Sequence, residues 1–352
     1  MLLERVGPLG RRPLRVAQLP DPRPSAGEIA IEVDACGVCR TDLHIAEGEV
    51  GARLPVVLGH QVVGRVVERG AAADRFRLGE LVGVGWLSRT DETCPFCRSG
   101  RENLCARAVF TGRDRDGGFA ERMTAPESAA HLLPAGFTAR QAAPLLCAGI
   151  IGYRTLRLSG ARPGSRLGLF GFGASAHLVL QVARHEGCEV YVFTRDERHR
   201  ELAREMGAAW AGATAEDPGV PLDAAALFAP AGEVVPIALG RLDRGATLAV
   251  NAIHMTPIPA LDYEKLYGER VVRSVMNSTR RDAEEFLELA RRIPIRAQIE
   301  LFDLEEANEA LLRIERGEVR GAAVLQIRAG SVDPDEQPPR PVSRLETETE
   351  EG

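Results

Sequence analysis

A strand, a glycine-rich turn and a helix follow one another in residues 167–186 of this 352-residue chain. The apolar run ends in a turn of the form G-x-G-x-x-A, made by Gly171, Gly173 and Ala176. Gly171 permits the tight turn, Gly173 lets the backbone approach a pyrophosphate, and Ala176 allows close packing of helix on strand. The start of the helix adds amide donors for phosphate oxygens. The sequence therefore predicts a dinucleotide site here, with an unrelated glycine-rich turn as the alternative.

Short apolar runs alternate with helical patterns throughout this part of the chain. The predicted strands are 167–170, 190–193, 209–211, 224–228, 246–250 and 271–275. The predicted helices are 174–186, 197–206 and 232–241. Strands that alternate with helices predict an α/β fold with a doubly wound parallel sheet. We therefore expect a Rossmann cofactor-binding domain over residues 149–275.

The N-terminal part of the chain has a different pattern. Residues 28–85 are predicted to be rich in strands, because residues such as Ile29, Ile31 and Val33 alternate with polar neighbours. Residues 86–120 are rich in cysteine, glycine and charge and are predicted to form a loop.

The remaining elements complete a first, catalytic domain. Pro144 is predicted to open a helix that runs through Leu158, as proline does at a first helical position. Helices at 282–292 and 305–316 and a strand at 322–328 are expected to return to this domain, which then comprises 1–148 and 276–329. Residues 330–352 end in a run of acidic residues, contain few apolar ones, and are expected to be a disordered tail.

Three residues far apart in the chain have the character of zinc ligands. They are Cys39, His60 and Cys147. Two sulfur atoms and an imidazole nitrogen suit Zn²⁺, and a fourth position left open to water or substrate is typical of a catalytic zinc site. Each cysteine alone would more often be a small buried apolar residue. Their combination with a dinucleotide site favours the metal.

The histidine lies in a recognisable signature. Gly59, His60, Gly64 and Gly70 fit the pattern of the zinc-dependent alcohol dehydrogenases of the medium-chain dehydrogenase/reductase superfamily, although Gln61 stands where that pattern has glutamate. The chain resembles this family over residues 1 to about 329. The resemblance implies a strand-rich GroES-like catalytic domain beside the Rossmann domain. It also implies a soluble enzyme that interconverts an alcohol with an aldehyde or ketone by hydride transfer to or from NAD(P).

The resemblance assigns roles to individual residues. Cys39, His60 and Cys147 correspond to the ligands of the catalytic zinc, and Thr41 and His44 correspond to the residues that relay the hydroxyl proton. Two alternatives stay open. One is a zinc-free reductase of the quinone or enoyl type on the same fold, and the other is a nucleotide-binding relative without catalysis.

Other residues near these motifs are assigned by their neighbours. Asp42 is expected to orient the imidazole of His60 rather than to be a surface charge. Trp86 is expected either to line the substrate pocket or to be a core aromatic residue. The other histidines have no ligand-like neighbours and are expected to be solvated or packed; they are His131, His177, His185, His199 and His254.

A second zinc site is predicted in the loop. Asp91, Cys94, Cys97 and Cys105 resemble the structural-zinc loop of the same family, in which cysteine occupies the first position as well. A carboxylate can bind zinc at a distance similar to that of imidazole. Glu92 is an alternative donor, and a loop that has lost its metal is an alternative interpretation.

The end of the second Rossmann strand indicates which cofactor is preferred. Thr194 and Arg195 stand where NAD-preferring members carry an acidic residue that binds the ribose hydroxyls. A hydroxyl and a guanidinium suit a 2′-phosphate, so we expect NADP(H) to be favoured over NAD(H). Asp196 could restore NAD preference if the turn were shifted by two residues.

Composition limits the partners. The formal charge of −6 and the pI near 5.8, without a basic stripe, argue against nucleic acid. With no signal segment and no apolar run of about 18 residues, we expect a cytoplasmic protein with no membrane partner. The substrate is expected to be a small alcohol or aldehyde, and the assembly a homo-oligomer, either dimer or tetramer. Lys265, the single lysine, suggests a GC-rich bacterial genome.

Overall fold

The computed structural model describes residues 1–133 and 135–328. Its strands are β1 Leu2–Leu3, β2 Leu14–Arg15, β3 Glu28–Val38, β4 Val56–Val57, β5 Gln61–Arg69, β6 Leu81–Val84, β7 Leu87–Arg89, β8 Val109–Phe110, β9 Arg122–Pro126, β10 Ala130–Leu132, β11 Arg166–Phe170, β12 Glu189–Phe193, β13 Trp210–Gly212, β14 Leu222–Leu227, β15 Leu242–Val250, β16 Val271–Ser274, β17 Ile299–Asp303 and β18 Ala322–Gln326. The predicted tail, 330–352, lies outside the described residues.

The α-helices are α1 Arg40–Glu47, α2 Pro95–Arg98, α3 Ala139–Ala142, α4 Ala148–Ser159, α5 Ala174–His185, α6 Glu197–Glu205, α7 Val234–Leu239, α8 Tyr263–Leu266, α9 Arg280–Arg292 and α10 Ala307–Arg316. Short 3₁₀ turns accompany them, for example at Ala143–Leu146 and Leu304–Glu306. In the part of the chain that is described, no helix is long and apolar enough to cross a membrane.

A six-stranded parallel sheet occupies the middle of the chain. Its strands lie in the order β13-β12-β11-β14-β15-β16, and each neighbouring pair is parallel. Numbered by their appearance along the chain, the strands run 3-2-1-4-5-6, which is the doubly wound arrangement. The inner strands are apolar and buried because helices cover both faces of such a sheet. The predicted α/β class and its six strands are confirmed.

Several element boundaries in this part of the chain differ from the prediction, and two examples show why. β15 begins at Leu242 rather than at 246, because Leu242 pairs with Leu222 before the register shifts. The intervening residues are charged or glycine and exposed, so the apolar pattern does not show them as strand. The predicted helix 232–241 is shorter in the structure, where α7 spans Val234–Leu239.

The N-terminal part forms a strand-rich sheet in the order β10-β6-β5-β3-β18-β17. β3 is its centre, because this long strand pairs with β5, β9 and β18. The C-terminal strands β17 and β18 are therefore part of this first sheet. β17 is a strand that the sequence did not indicate. Only Phe302 in it is buried, so no alternation marks it.

Cys147 interrupts the helix that was predicted to begin at Pro144. Residues Ala143–Leu146 form a 3₁₀ turn, and Cys147 has φ −133° and ψ −66°, outside the helical range. The α-helix begins at Ala148, so the predicted start is wrong. The break leaves Cys147 at the N-cap of α4, next to the core that both sheets share. In that core, Ala35 and Val324 of the first sheet belong to the same buried cluster as residues of α4, α5 and β11.

Candidate active site

The first predicted zinc ligand lies where a strand becomes a helix. β3 ends at Val38, and Cys39 is the N-cap of α1 with extended backbone angles. Its backbone amide donates to Asp42 Oδ2 at 2.8 Å, which closes a capping box and holds the carboxylate in place. The structure therefore fixes Cys39 and Asp42 relative to each other through the first turn of α1.

Asp42 also fixes the second predicted ligand. Its Oδ1 accepts from the amide of Gly59 at 3.3 Å and faces His60 Nδ1 at 3.1 Å, and both side chains are fully buried. Because a carboxylate only accepts, Nδ1 carries a proton, and Nε2 is the nitrogen that can bind a metal once it has lost its own proton. Within residues 1–133 and 135–328, Nε2 has no hydrogen-bond partner. An unpartnered buried nitrogen is what a metal ligand shows when no metal is present.

The glycines of the histidine signature are required by close packing. Gly59 has φ +95°, and a Cβ there would lie 2.4 Å from the ring of Phe119. A Cβ on Gly64 would lie 2.2 Å from the carbonyl oxygen of Glu32 on the neighbouring strand. Gln61, which replaces the glutamate of the family pattern, is buried, and its Oε1 has no partner among the described residues.

The structure brings Cys39, His60 and Cys147 together. One ligand atom from each lies within 4.8 Å of the others. The hydrogen bond from Cys147 is the main cause that holds the pKa of Cys39 well below its ordinary value, and it raises the pKa of Cys147 in turn. Burial opposes charge on His60, but Asp42 and Cys39 outweigh it and raise its pKa to about 10. Without a metal, the negative charge of these three side chains is therefore balanced by bound protons. A divalent cation can replace those protons.

The predicted relay residues lie on α1 beside this cluster. Thr41 Oγ1 is 3.7 Å from Cys39 Sγ. His44 is buried one turn further along, with Nδ1 2.5 Å from Glu49 Oε2. Its ring centroid lies 5.2 Å from that of His254. Glu49 and His254 are neighbours that sequence reasoning missed, although the glycine that ends α1 just before Glu49 was a visible signal of a chain reversal.

Trp86 packs against His60, one of the three candidate zinc ligands, as well as against the protein core. Its ring meets that of His60 edge to face, with centroids 4.8 Å apart, and stacks on Phe110 at 4.9 Å. The indole is partly buried. It therefore forms one wall beside the candidate ligands, and Phe110 supports it from behind.

The glycine-rich turn has the predicted conformation. Gly171 has φ +87°, and a Cβ there would lie 2.9 Å from the backbone nitrogen of Ala229. Gly173 is the N-cap of α5, and open space surrounds the position of its missing Cβ. Ala176 is fully buried where α5 packs on the sheet. The start of α5 thus presents free amides to an open space that can accept phosphates.

The end of β12 carries the residues predicted to choose the cofactor. Thr194 is buried and Arg195 is exposed directly after the strand. Asp196 is the N-cap of α6: its Oδ1 accepts from the amide of Arg198 at 2.8 Å, and its Oδ2 pairs with that side chain at 2.7 Å. These bonds hold the pKa of Asp196 at about 2, chiefly through the Arg198 side chain. The carboxylate of Asp196 is therefore already bonded to a residue of its own helix.

A second basic side chain lies near Arg195. The pKa of Arg40 is lowered, first by burial and also by the charge of Arg195. Two guanidinium groups close enough to repel each other favour the binding of an anion near them.

The predicted structural-zinc residues also come together. Ligand atoms of Asp91, Cys94, Cys97 and Cys105 all lie within 4.8 Å of one another. Glu92 is not part of this group; its side chain is largely exposed and lies 3.5 Å from Arg280. Loop residues 91–105 thus bring three sulfur atoms and one carboxylate close together.

Asp91 has other partners as well. Its Oδ1 accepts from the amides of Thr93 and Cys94, and its Oδ2 pairs with Arg107 at 2.9 Å. These bonds, the one from Cys94 above all, hold the pKa of Asp91 well below its usual range. Burial is the main cause that raises the pKa of Cys97 to about 11. The carboxylate is therefore ionised and available, but a metal would share it with three donors.

Comparison with known proteins identifies the class. The family described as alcohol dehydrogenase GroES-like domain matches residues 25–135. The chain is 48% identical to "Probable alcohol dehydrogenase AdhA" of Mycobacterium tuberculosis, over 92% of this chain and 96% of the relative. It is 32% identical to an alcohol dehydrogenase of Geobacillus stearothermophilus, over 90% and 97%. A cinnamyl alcohol dehydrogenase structure from Sorghum bicolor superposes with a TM-score of 0.81 at 28% identity, covering 88% of this chain and 92% of the other.

These matches span nearly the whole chain. The protein therefore belongs to the zinc-dependent alcohol dehydrogenase family of the medium-chain dehydrogenase/reductase superfamily, and the predicted family and fold are confirmed.

Proposed function

We propose that this NAD(P)-dependent alcohol dehydrogenase holds a catalytic zinc on Cys39, His60 and Cys147. The observation that carries the proposal is the state of His60 Nε2. This buried nitrogen has no hydrogen-bond partner among the described residues, and Asp42 orients its ring. The thiols of Cys39 and Cys147 lie close to it. When bound, zinc supplies a Lewis acid that polarises the substrate oxygen and favours its ionisation. The nicotinamide supplies the hydride acceptor or donor. The substrate is a small alcohol or the corresponding aldehyde or ketone.

The chain's own residues then handle the proton and exclude water. Thr41, beside Cys39, accepts the hydroxyl proton of the alcohol and passes it toward His44. Asp42 keeps the imidazole of His60 in one tautomer, and Trp86 covers one side of that ring.

We propose that the chain is divided into a catalytic domain and a cofactor-binding domain. Residues 1–148 with 276–328 form the catalytic domain, and 149–275 form the cofactor-binding domain. The pairing of β18 with β3 and the separate parallel sheet support this division.

We propose that NADP(H) is favoured over NAD(H). The support is local: Thr194 and Arg195 follow β12, Arg40 adds charge nearby, and Asp196 is held by Arg198 instead of facing a ribose. An exposed guanidinium suits a phosphate monoester.

A second, structural zinc is proposed on Asp91, Cys94, Cys97 and Cys105. The proposal is supported by the short distances between their ligand atoms, all of which lie within 4.8 Å of one another. The oxygen is harder than sulfur, so we expect this metal to exchange more readily than one held by four cysteines.

We also propose a cytoplasmic homo-oligomer, either dimer or tetramer. β16 is an edge strand whose residues are all exposed, including Val271 and Val272, and Met276 just beyond it is exposed too. Pairing with a second copy would cover an apolar edge that is otherwise prone to nonspecific association. Light scattering gives the mass in solution that tests this. The cysteines, all seven described and free, suit a reducing compartment.

The test of the catalytic metal uses Cys147→Ala with Cys188→Ala as its control. Cys188 is a free, buried cysteine that lies outside the cluster, whereas Cys147 is partly buried. We expect Cys147→Ala to abolish alcohol oxidation and to lose about one zinc per chain, because an open catalytic site needs all three protein ligands. Cys188→Ala should keep both. Metal analysis, nicotinamide absorbance and circular dichroism measure zinc, activity and fold. A folded Cys147→Ala protein with full zinc and activity would refute the assignment.

A further inference from the structure

His44 has a carboxylate partner because of the way α1 ends. The helix stops at Glu47, and Gly48, with φ +85°, reverses the chain. The amide of Val50 donates to the carbonyl of His44 at 3.0 Å, which holds the reversed segment over the last turn. Glu49 lies between these points, and its Oε2 comes within 2.5 Å of His44 Nδ1.

This contact sets the tautomer of His44. Because Glu49 accepts through its carboxylate, Nδ1 of His44 is the donor. Nε2 is then the nitrogen that can take up a proton, and the adjacent carboxylate stabilises the imidazolium that results.

The chain of polar groups continues to the surface. His254, in the loop after β15, lies with Nε2 3.8 Å from Glu49 Oε1. The side chains become more exposed along the series, from 7% for His44 to 37% for Glu49 and 45% for His254. The distance from Glu49 to His254 exceeds that of a direct hydrogen bond, so proton transfer between them requires a bridging water or a small movement of the side chains.

We propose that Glu49 is a positioning residue that acts through His44, and that Glu49 and His254 form the exit of the proton relay. This rests on the function proposed above. In alcohol oxidation, His44 Nε2 gains one proton and Nδ1 gives one to Glu49. Glu49 then releases it to water directly or by way of His254, so that each alcohol oxidised delivers one proton to solvent. In carbonyl reduction the same groups run in reverse.

The first test compares Glu49→Gln with Glu47→Gln. Glu47 is on the same helix but accepts from the amide of Leu9 instead of from His44. We expect Glu49→Gln to lower kcat for alcohol oxidation about 10-fold, a modest share of what general acid–base groups contribute. The solvent deuterium isotope effect on kcat should rise, and imidazole buffer should restore rate in proportion to its concentration. Glu47→Gln should show none of these changes.

The second test asks whether Glu49 acts through His44. In a His44→Gln background, the additional change Glu49→Gln should cost almost nothing, because residues of one relay are not additive. His254→Gln leaves the end of α1 intact; it should lower kcat about 3-fold and add little to Glu49→Gln.

The outcomes separate this inference from the proposed function. Additive losses for His44 and Glu49, or a slower Glu49→Gln enzyme that imidazole does not restore, would show that Glu49 only holds the turn and would overturn the inference. If His44→Gln slows oxidation while both Glu49→Gln and His254→Gln leave it unchanged, His44 still relays the proton, but the roles proposed for Glu49 and His254 are wrong. If His44→Gln itself changes nothing, the relay in the proposed function is wrong as well.

Discussion

At the scale of single residues, we expect the side chains that follow β12 to determine which cofactor is preferred. Arg195→Ala should weaken binding of NADPH more than that of NADH, by roughly 1.5–3 kcal/mol, if the guanidinium makes a charge-assisted bond to the 2′-phosphate. Arg204→Ala is the control, because Arg204 is also basic and partly exposed but pairs with Glu197 on α6. Steady-state constants for both cofactors give the comparison. Equal losses, or a wild type that prefers NADH, would favour the alternative in which Asp196 reaches the ribose.

Residues of the candidate site could be predicted from the sequence where they lie in a short motif. Cys39, His60 and Asp42 lie in such motifs, and the structure joins all three through the bonds of Asp42. Glu49 and His254 could not be found in the same way. Their meeting depends on a helix end and on a loop from the other sheet, about 200 residues away in the chain. No local pattern records contacts of that range.

At the scale of elements, the loop 91–105 tests whether a carboxylate can replace a zinc thiolate. We expect two zincs per chain in the wild type, and one after Asp91→Ala with a lower melting temperature, because metal binding contributes to folding. Glu92→Ala is the matched control: it removes the neighbouring acid, which lies outside the cluster, and should keep both metals. Metal analysis with thermal denaturation measures this. A single zinc in wild type prepared with zinc would contradict it.

Elements were predictable where burial leaves a clear apolar pattern. The strands of the parallel sheet are short apolar runs between turns, and all six were predicted. β17 was missed because only Phe302 in it is buried, and the start of α4 was wrong because the backbone of Cys147 departs from the helix. That departure lies at a proposed ligand, where function can override local preference.

At the scale of the whole molecule, the two sheets are joined by a buried histidine. His177 on α5 faces the carbonyl of Gly173 with Nδ1 at 3.2 Å, and its Nε2 accepts from the amide of Gln298, just before β17, at 3.2 Å. One nitrogen donates and the other accepts, so the ring is neutral. His177 was expected to be solvated or packed, and it is fully buried.

This histidine should make the stability of the fold sensitive to acid. Burial is the main cause that lowers the pKa of His177 to about 4, whereas the unfolded chain takes up the proton near pH 6.5. As the pH falls from about 6.5 to about 4, only the unfolded state gains that proton, so the free energy of unfolding decreases, by about 3 kcal/mol in all. Above pH 7 the residue should contribute no pH dependence.

His177→Gln removes this titration and keeps a donor and an acceptor at the site. Its melting temperature should therefore fall less steeply than that of the wild type between pH 6.5 and pH 4. His185→Gln is the control, because His185 lies on the same helix but is exposed. Some acid sensitivity should remain, since burial also lowers the pKa of His131 to about 4. Parallel curves for wild type and His177→Gln, measured by calorimetry over this range, would mean that the junction between the two sheets opens before His177 is protonated.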